Sequence, residues 1–310
     1  MKSGRDRHRC HPCLGLVPRF FLKMKLIDIR KKIISELNAA SIKSAEIDAQ
    51  ILLESVTGKS REFVLTHPEF KFSDKQIKDL KKLAARRKLH EPIAYITGQK
   101  EFFGLDFIIT PDVLIPRPET EILVEEGLKF LESRIKNIEF RILDIGTGSG
   151  NIIISIAKSS KKFPIANFLH FFASDISEKA LMVAKKNAKK HQVKIKFRES
   201  DLFKNIDGKF DLIIANLPYV PMRKAEGGGR RAEEIDFEPR EAIFAKENGT
   251  EIIKIFLDQA QYHINKNGLI LAEVDPRNAI EIKKYAIKLY KSVELKRDFS
   301  GIYRMILILT

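Results

Sequence analysis

The chain has 310 residues, 44% of them apolar and 31% charged, which suits a globular protein with room for two domains of about 150 residues each. No run of about eighteen apolar residues occurs, which removes a membrane-spanning helix, and two cysteines are too few for a disulfide scaffold. Lys and Arg exceed Asp and Glu by 15, an excess compatible with a polyanionic partner, but one that governs solubility and non-specific binding rather than fold.

Residues 1–23 stand apart from the rest. They hold six basic residues against Asp6 and no amphipathic period. Cys10 and Cys13 form a C-x-x-C beside His8 and His11, but no other cysteine completes a zinc site, and no metal is expected. A redox pair needs a strand–helix context that is absent here. Pro18 and Arg19 interrupt the only apolar stretch a signal peptide would use. The segment reads as a disordered leader, or as an upstream start chosen in place of Met24.

From Met24 the pattern is helical, and residues 24–90 read as a small helical domain. Leu26, Ile29, Ile33, Ile34 and Leu37 share one face, and Ile47, Ile51, Leu52 and Val56 form a second stripe stopped by Gly58. Ser73 and Gln76 form a capping box ahead of Ile77, Leu80, Leu83 and Ala84. The run Lys71, Lys75, Lys78, Lys81, Lys82, Arg86, Arg87 and Lys88 reads as a solvated helix face, with a dock for an acidic partner such as ribosomal RNA as the less favoured alternative. Residues 91–117, rich in Pro and Gly, read as an extended hairpin linker.

From Pro118 to residue 310 helices and strands alternate. Pro118 opens a helix with Glu119 and Glu121 near its positive end. Strands are predicted at Arg141–Ile145, Phe168–Ser174, Lys194–Arg198, Phe210–Ala215 and Leu269–Val274. Helices are predicted at Asn151–Lys158, Glu178–Lys190 (capped by Ser177), Thr250–Tyr262 and Ala279–Leu289. Val293–Lys296 and Tyr303–Leu309 close the chain as a hairpin, giving two antiparallel closing strands. Glu226–Arg231, with three consecutive glycines, reads as a mobile loop. Such alternation predicts an α/β fold: a mostly parallel sheet with helices on both faces and ligands at the carboxyl ends of its strands.

Three motifs sit at those ends. Asp144-Ile145-Gly146-Thr147-Gly148-Ser149-Gly150 follows the first strand. A dinucleotide G-x-G-x-x-G fails, because the positions for its last glycine hold Asn151 or Ile153. The D-x-G-x-G-x-G pattern instead resembles the S-adenosylmethionine loop of class I methyltransferases, although a purely structural turn also uses glycines here. Asp175 ends the second strand, where a carboxylate accepts ribose hydroxyls; the competing role is capping of the next helix with Ser177. Asp201 and Leu202 follow the third strand, where an apolar wall for adenine would come from Leu202 or Phe203. Asn216-Leu217-Pro218-Tyr219 follows the fourth strand. It suits an amide or aromatic amine nucleophile: the Asn216 oxygen and the Leu217 carbonyl accept both N–H hydrogens, Pro218 stiffens the turn, and Tyr219 packs on the planar group.

With these residues the chain resembles the release-factor glutamine N5-methyltransferases (the HemK/PrmC family) over residues 24–310. The most specific stretch is Phe102–Glu121, which contains Leu114-Ile115-Pro116-Arg117-Pro118-Glu119-Thr120-Glu121; Phe237-Glu238-Pro239-Arg240-Glu241-Ala242 also fits. The resemblance implies a Rossmann-like methyltransferase domain over 118–310, behind a helical substrate-recognition domain. It implies methyl transfer from S-adenosylmethionine to the glutamine of the Gly-Gly-Gln loop of peptide-chain release factors. Gly146, Thr147, Gly148, Ser149, Gly150, Asp175, Leu202 and Asn216 would hold the cofactor, and Asn216, Leu217, Pro218 and Tyr219 the substrate and the chemistry. The family's usual tetrapeptide is Asn-Pro-Pro-Tyr; Leu217 departs from it but keeps the carbonyl. Asn-Leu-Pro-Tyr also suits the ribosomal RNA adenine N6-methyltransferases, whose glycine loop lies near the N-terminus with a helical domain behind. The order here is the reverse. A cytoplasmic enzyme is expected, sufficient as a monomer, needing neither membrane nor a stable nucleic-acid partner.

Overall fold

The computed structural model describes residues 24–133, 139–221, 234–245, 248–298 and 300–310. The leader with its C-x-x-C and the Glu226–Arg231 glycine run lie outside the described residues. The chain divides between Ala84 and Ala85 into two compact units.

The first unit is helical: Leu26–Ala39, Ala45–Thr57, Arg61–Thr66 and the start of Asp74–Lys88. Leu26, Ile29, Ile33 and Leu37 are its first buried stripe, as the spacing predicts. The second stripe differs. Ile47 is 65% exposed, and the buried face is Ala45, Asp48, Ala49, Leu52 and Leu53. Small alanines set that face, and Ser44 donates to the buried Asp48 carboxylate at 2.8 Å, so counting large aliphatics alone misplaces it. Gly58, at φ +65°, ends this helix. The helix Arg61–Thr66, capped by the Ser60 hydroxyl, is too short at six residues to show a period. The Ser73–Gln76 box forms as expected: the Gln76 amide donates to Ser73 Oγ at 3.3 Å and the Ser73 amide to Gln76 Oε1 at 3.0 Å. Arg87 is no part of a solvated face. It is 3% exposed, and its guanidinium donates to the Glu91 carbonyl at 3.0 Å and to Glu234 at 2.6 Å.

In the second unit, the stretch read as extended holds a short helix, Ile93–Thr97. It contains the apolar Ala94, Tyr95 and Ile96, all buried, and Gly98 ends it at φ +73°. Strands β1 (Gln99–Phe102) and β2 (Leu105–Ile108) then form an antiparallel hairpin around Phe103-Gly104. A 3-10 turn, Pro118–Thr120, leads into helix Glu121–Glu132.

The remaining strands are β3 (Phe140–Ile145), β4 (Leu169–Asp175), β5 (Ile195–Glu199), β6 (Phe210–Ala215), β7 (Val220–Pro221), β8 (Phe244–Ala245), β9 (Ile264–Glu273), β10 (Ser292–Arg297) and β11 (Tyr303–Leu309). Seven form one sheet in the order β10-β11-β9-β6-β3-β4-β5. β3, β4, β5, β6 and β9 are parallel. β11 pairs antiparallel with β9, and β10 antiparallel with β11. Only β11 therefore runs against the rest, not two strands, because the second arm of the terminal hairpin inserts between β9 and its own first arm. β9 also begins earlier than predicted. The polar run Asn265-Lys266-Asn267-Gly268 joins the strand through a register shift opposite Phe210 and Leu212.

Both faces of the sheet are covered. Ile142, Leu212, Ile214, Leu269 and Leu271 pack with Leu123, Val124, Ile152, Ile153 and Val183 from helices Glu121–Glu132, Asn151–Ser159 and Glu178–His191. The alternate residues Leu143, Ile145, Ile213, Ile270 and Ala272 pack with Phe256, Leu257 and Ile282 from helices Glu251–His263 and Ala279–Ala286. Burial on both faces explains why these strands read as continuous apolar runs. Strand order reverses between β3 and β6, which opens a crevice at their carboxyl ends.

Candidate active site

The glycine loop turns directly out of β3. Gly146, Gly148 and Gly150 sit at φ +70°, +55° and +81°, where side chains are strained. A Cβ on Gly150 would also lie 2.8 Å from Ile154 Cδ1 and 3.2 Å from Ala184 Cβ, so this glycine admits helix Glu178–His191 as well as the turn. The amides of Gly146 and Thr147 donate to the Ser174 carbonyl at 2.8 and 2.9 Å, pinning the loop to the end of β4. Asn187, fully buried, clamps it from behind. Its side-chain nitrogen donates to the carbonyls of Ser149 (2.9 Å) and Ile108 (3.0 Å), and its oxygen accepts from the Ile108 amide at 2.7 Å.

Two acids serve this loop differently. Asp144 is fully buried and accepts from Thr147 Oγ1 at 2.6 Å; its other oxygen has no partner among the described residues. Burial pushes its pKa up to about 7. Asp175 accepts from the Gly148 amide at 2.8 Å and the Ser177 amide at 2.9 Å, and Ser177 Oγ caps the next helix by accepting from Ala180 at 3.2 Å. Ser177, not Asp175, is thus the helix cap, and Asp175 braces the glycine loop and the amide of the cap residue. Burial raises the Asp175 pKa, opposed by the Ser177 and Gly148 amides.

One cavity joins these groups. It is lined by Gly146–Ser149, Asp175, Asp201, Leu202, Asn216, Leu217 and Pro218, together with Arg117 and Thr120 from the Leu114–Glu121 block. Leu202 sits at φ +48° on the cavity wall. Phe203 does not; it stacks on His263 (ring centroids 4.7 Å apart) and on Phe256. A left-handed glycine turn, a carboxylate one strand over and an apolar wall beyond it fit an adenosyl amino-acid sulfonium in their order along the sheet.

The tetrapeptide is split by the fold. Leu217 is 5% exposed, packs in the core, and lies 3.1 Å from where a Cβ on Gly146 would be. Tyr219 is not on the cavity wall. Its phenol donates to Glu273 Oε1 at 2.8 Å. The adjoining β7 pairs with β8, and Gly249, at φ +78°, presses on the Tyr219 carbonyl so closely that a Cβ would come within 2.3 Å. Asn216 Nδ2 donates to Thr120 Oγ1 at 3.2 Å, and Thr120 Oγ1 donates to Glu273 Oε2 at 2.7 Å. Glu273, 2% exposed, has its pKa raised by burial, against the two hydroxyls that donate to it. Glu238 meanwhile ties the two family-like blocks together: it accepts from the Ile115 amide at 3.1 Å and pairs with Arg117.

Sequence reasoning did not single out Thr120, Glu273, Gly249 or Asn187 for the site. Glu273 carried a signal: it is the sole acid in the apolar run Leu269–Val274, at the carboxyl end of a strand. Among the described residues, no cluster of His, Cys, Asp or Glu could hold a metal.

The strand order, with one reversed strand second from the edge and a glycine loop and an Asn-x-Pro-Tyr turn at the switch point, defines a class I methyltransferase. Residues 28–98 match the model of the PrmC N-terminal domain, and residues 121–228 that of the methyltransferase small domain. A release factor glutamine methyltransferase of Haemophilus influenzae is 33% identical over 294 residues, spanning 93% of this chain and 97% of that one. One from Coxiella burnetii is 36% identical over 285 residues, spanning 91% and 98%. A bifunctional methyltransferase of Rickettsia prowazekii is 35% identical, spanning 87% of this chain and 54% of its own length. The chain belongs to the release factor glutamine methyltransferase family.

Proposed function

We propose that this enzyme transfers a methyl group from S-adenosylmethionine to the side-chain amide nitrogen (N5) of the glutamine in the Gly-Gly-Gln loop of a peptide-chain release factor, in the cytoplasm where translation terminates. The carrying observation is that Asn216, Leu217 and Pro218 line the same cavity as the left-handed glycine loop and Asp175. Gly146–Gly150, Asp175 and Leu202 would hold the cofactor, which when bound supplies an electrophilic methyl carbon on a sulfonium.

An amide nitrogen is a poor nucleophile because its lone pair is delocalised into the carbonyl. Asn216 Oδ1 and the Leu217 carbonyl accept its two N–H hydrogens, which fixes the amide plane so that the face of the nitrogen carrying the lone pair meets the donor. Once it carries the methyl, the nitrogen is acidic and releases one of those hydrogens as a proton. Positioning and pre-aimed acceptors carry the rate, and no strong base is needed. Arg117, held by the buried Glu238, sits at the cavity wall where the incoming loop enters. The helical domain recognises the folded factor. The rival adenine substrate is disfavoured by the order of the domains and by relatives whose names specify release factor glutamine.

The test is a competition. The enzyme is incubated with labelled S-adenosylmethionine, a purified release factor and deproteinised ribosomal RNA. Label in the release factor alone is expected; label in the RNA would replace this reading with the adenine one.

A further inference from the structure

Asn216 can serve as an acceptor only if its amide oxygen, not its nitrogen, faces the cavity, and nothing in the tetrapeptide itself decides which. The choice is made outside it. Glu273 is buried at the end of β9 with two hydroxyl neighbours, Tyr219 on Oε1 at 2.8 Å and Thr120 on Oε2 at 2.7 Å. Each carboxylate oxygen accepts from one of the two hydroxyls, so both hydroxyls donate to Glu273. Thr120 has then spent its one hydrogen, and what it offers Asn216 at 3.2 Å is a lone pair. Asn216 must answer with its NH2, which turns Oδ1 away from Thr120. The same carboxylate fixes the phenol end of Tyr219, whose backbone Gly249 already confines. One buried acid thus sets the polarity of a chain that ends at both sides of the tetrapeptide.

We propose that Thr120 and Glu273 are positioning residues for the methyl transfer: together they hold the Asn216 side chain with its oxygen toward the cavity and fix the ring of Tyr219. This rests on the methyl-transfer reading above, and it assigns a task to the threonine of the Leu114–Glu121 block and to an acid on a different strand. Neither residue needs to touch substrate. Their effect is carried by hydrogen-bond direction alone, because Asn216 with its amide reversed would present two donors to a substrate amide that itself has donors to place.

The proposal makes isosteric changes informative. Thr120→Val keeps the shape and removes the hydroxyl, freeing Asn216 to flip. Thr120→Ser keeps the hydroxyl. Glu273→Gln keeps the volume but can accept from only one of the two hydroxyls, so the direction of the chain is lost at the other. The measurements are kcat and KM for release-factor methylation, cofactor affinity by calorimetry, and thermal melts. Thr120→Val and Glu273→Gln are expected to lose about 10- to 100-fold in kcat, with KM and cofactor affinity each within two-fold of wild type, and Thr120→Ser to recover most of the rate. A Thr120→Val enzyme with wild-type kcat would overturn the proposal. So would a Thr120→Ser variant as slow as Thr120→Val, or losses that follow the melting temperature or fall equally on cofactor affinity. If the wild type leaves the release-factor glutamine unmethylated, the functional reading itself fails and this inference with it; normal wild-type methylation beside an unimpaired Thr120→Val sinks the inference alone.

Discussion

Asp144 and Tyr219 each do something at the residue scale that their place in a motif does not reveal. An acid whose folded pKa lies near 7, well above its ordinary value, binds its proton more tightly in the folded state. Ionising it therefore weighs on the folded protein, and the stability it contributes when protonated is lost as pH rises from about 4 to 7. Asp144→Asn removes that titration. The melting temperature of the variant minus that of the wild type should climb with pH across this window and level off above it, as read by melts of the cofactor-free protein; a difference independent of pH would contradict the assignment. Tyr219 donates its phenol hydrogen to a buried carboxylate, so a ring that only packed would be the wrong description. Tyr219→Phe leaves Glu273 short of one donor and should lower kcat several-fold in single-turnover assays, where pure packing predicts no change.

Elements were more legible than their joints. The parallel strands and the helices behind them could be read because apolar runs of strand length alternate with longer amphipathic stretches. The central strands β3, β6 and β9 are buried as such runs require, whereas the edge strand β5 holds no fully buried residue. That Gly146–Ser149, Asp175 and Asn216-Leu217-Pro218 line one cavity was readable because strand ends at a switch point are where such residues gather; that Tyr219 turns away to Glu273 was not. The joints were not. Whether Asn187 faces solvent or ties β2 to the glycine loop depends on a pairing 79 residues apart, and nothing local in an alanine- and lysine-rich helix marks it. Asn187→Ala should cost about 1–3 kcal/mol by stranding the Ile108 and Ser149 backbone groups. It should also weaken cofactor binding, because the loop loses its rear support; denaturant melts and calorimetry on one sample separate the two effects. The β10–β11 order was likewise invisible, since a hairpin signal says that two strands pair but not which arm meets the sheet.

At the scale of the whole molecule, the division between Ala84 and Ala85 falls inside helix Asp74–Lys88. Arg86 pairs with Glu91, and Arg87 is bonded to the Glu91 carbonyl and Glu234, all beyond that division. A truncation that removes the helical domain should therefore keep residues 74–310 rather than begin at 91. That shortened protein is expected to bind S-adenosylmethionine within about three-fold of the full chain, because every cavity residue lies after residue 110, while methylation of the folded release factor falls at least 100-fold. Equal activity on the folded factor would remove substrate recognition from the helical domain. Lost cofactor binding would show that the methyltransferase unit does not stand alone.

Asn216, as proposed, orients a glutamine amide in front of the methyl donor. Single-turnover methylation of a release factor, with the modified residue mapped by mass spectrometry, tests this role beside thermal melts of wild type and Asn216→Ala. With wild type, one methyl is expected on the glutamine of the Gly-Gly-Gln loop. Asn216→Ala is expected to melt normally and to methylate at a rate lower by about 10²–10³, with the factor still bound. An Asn216→Ala protein that melts normally and methylates that glutamine at the wild-type rate, or a wild-type protein that places its methyl elsewhere, would contradict this role.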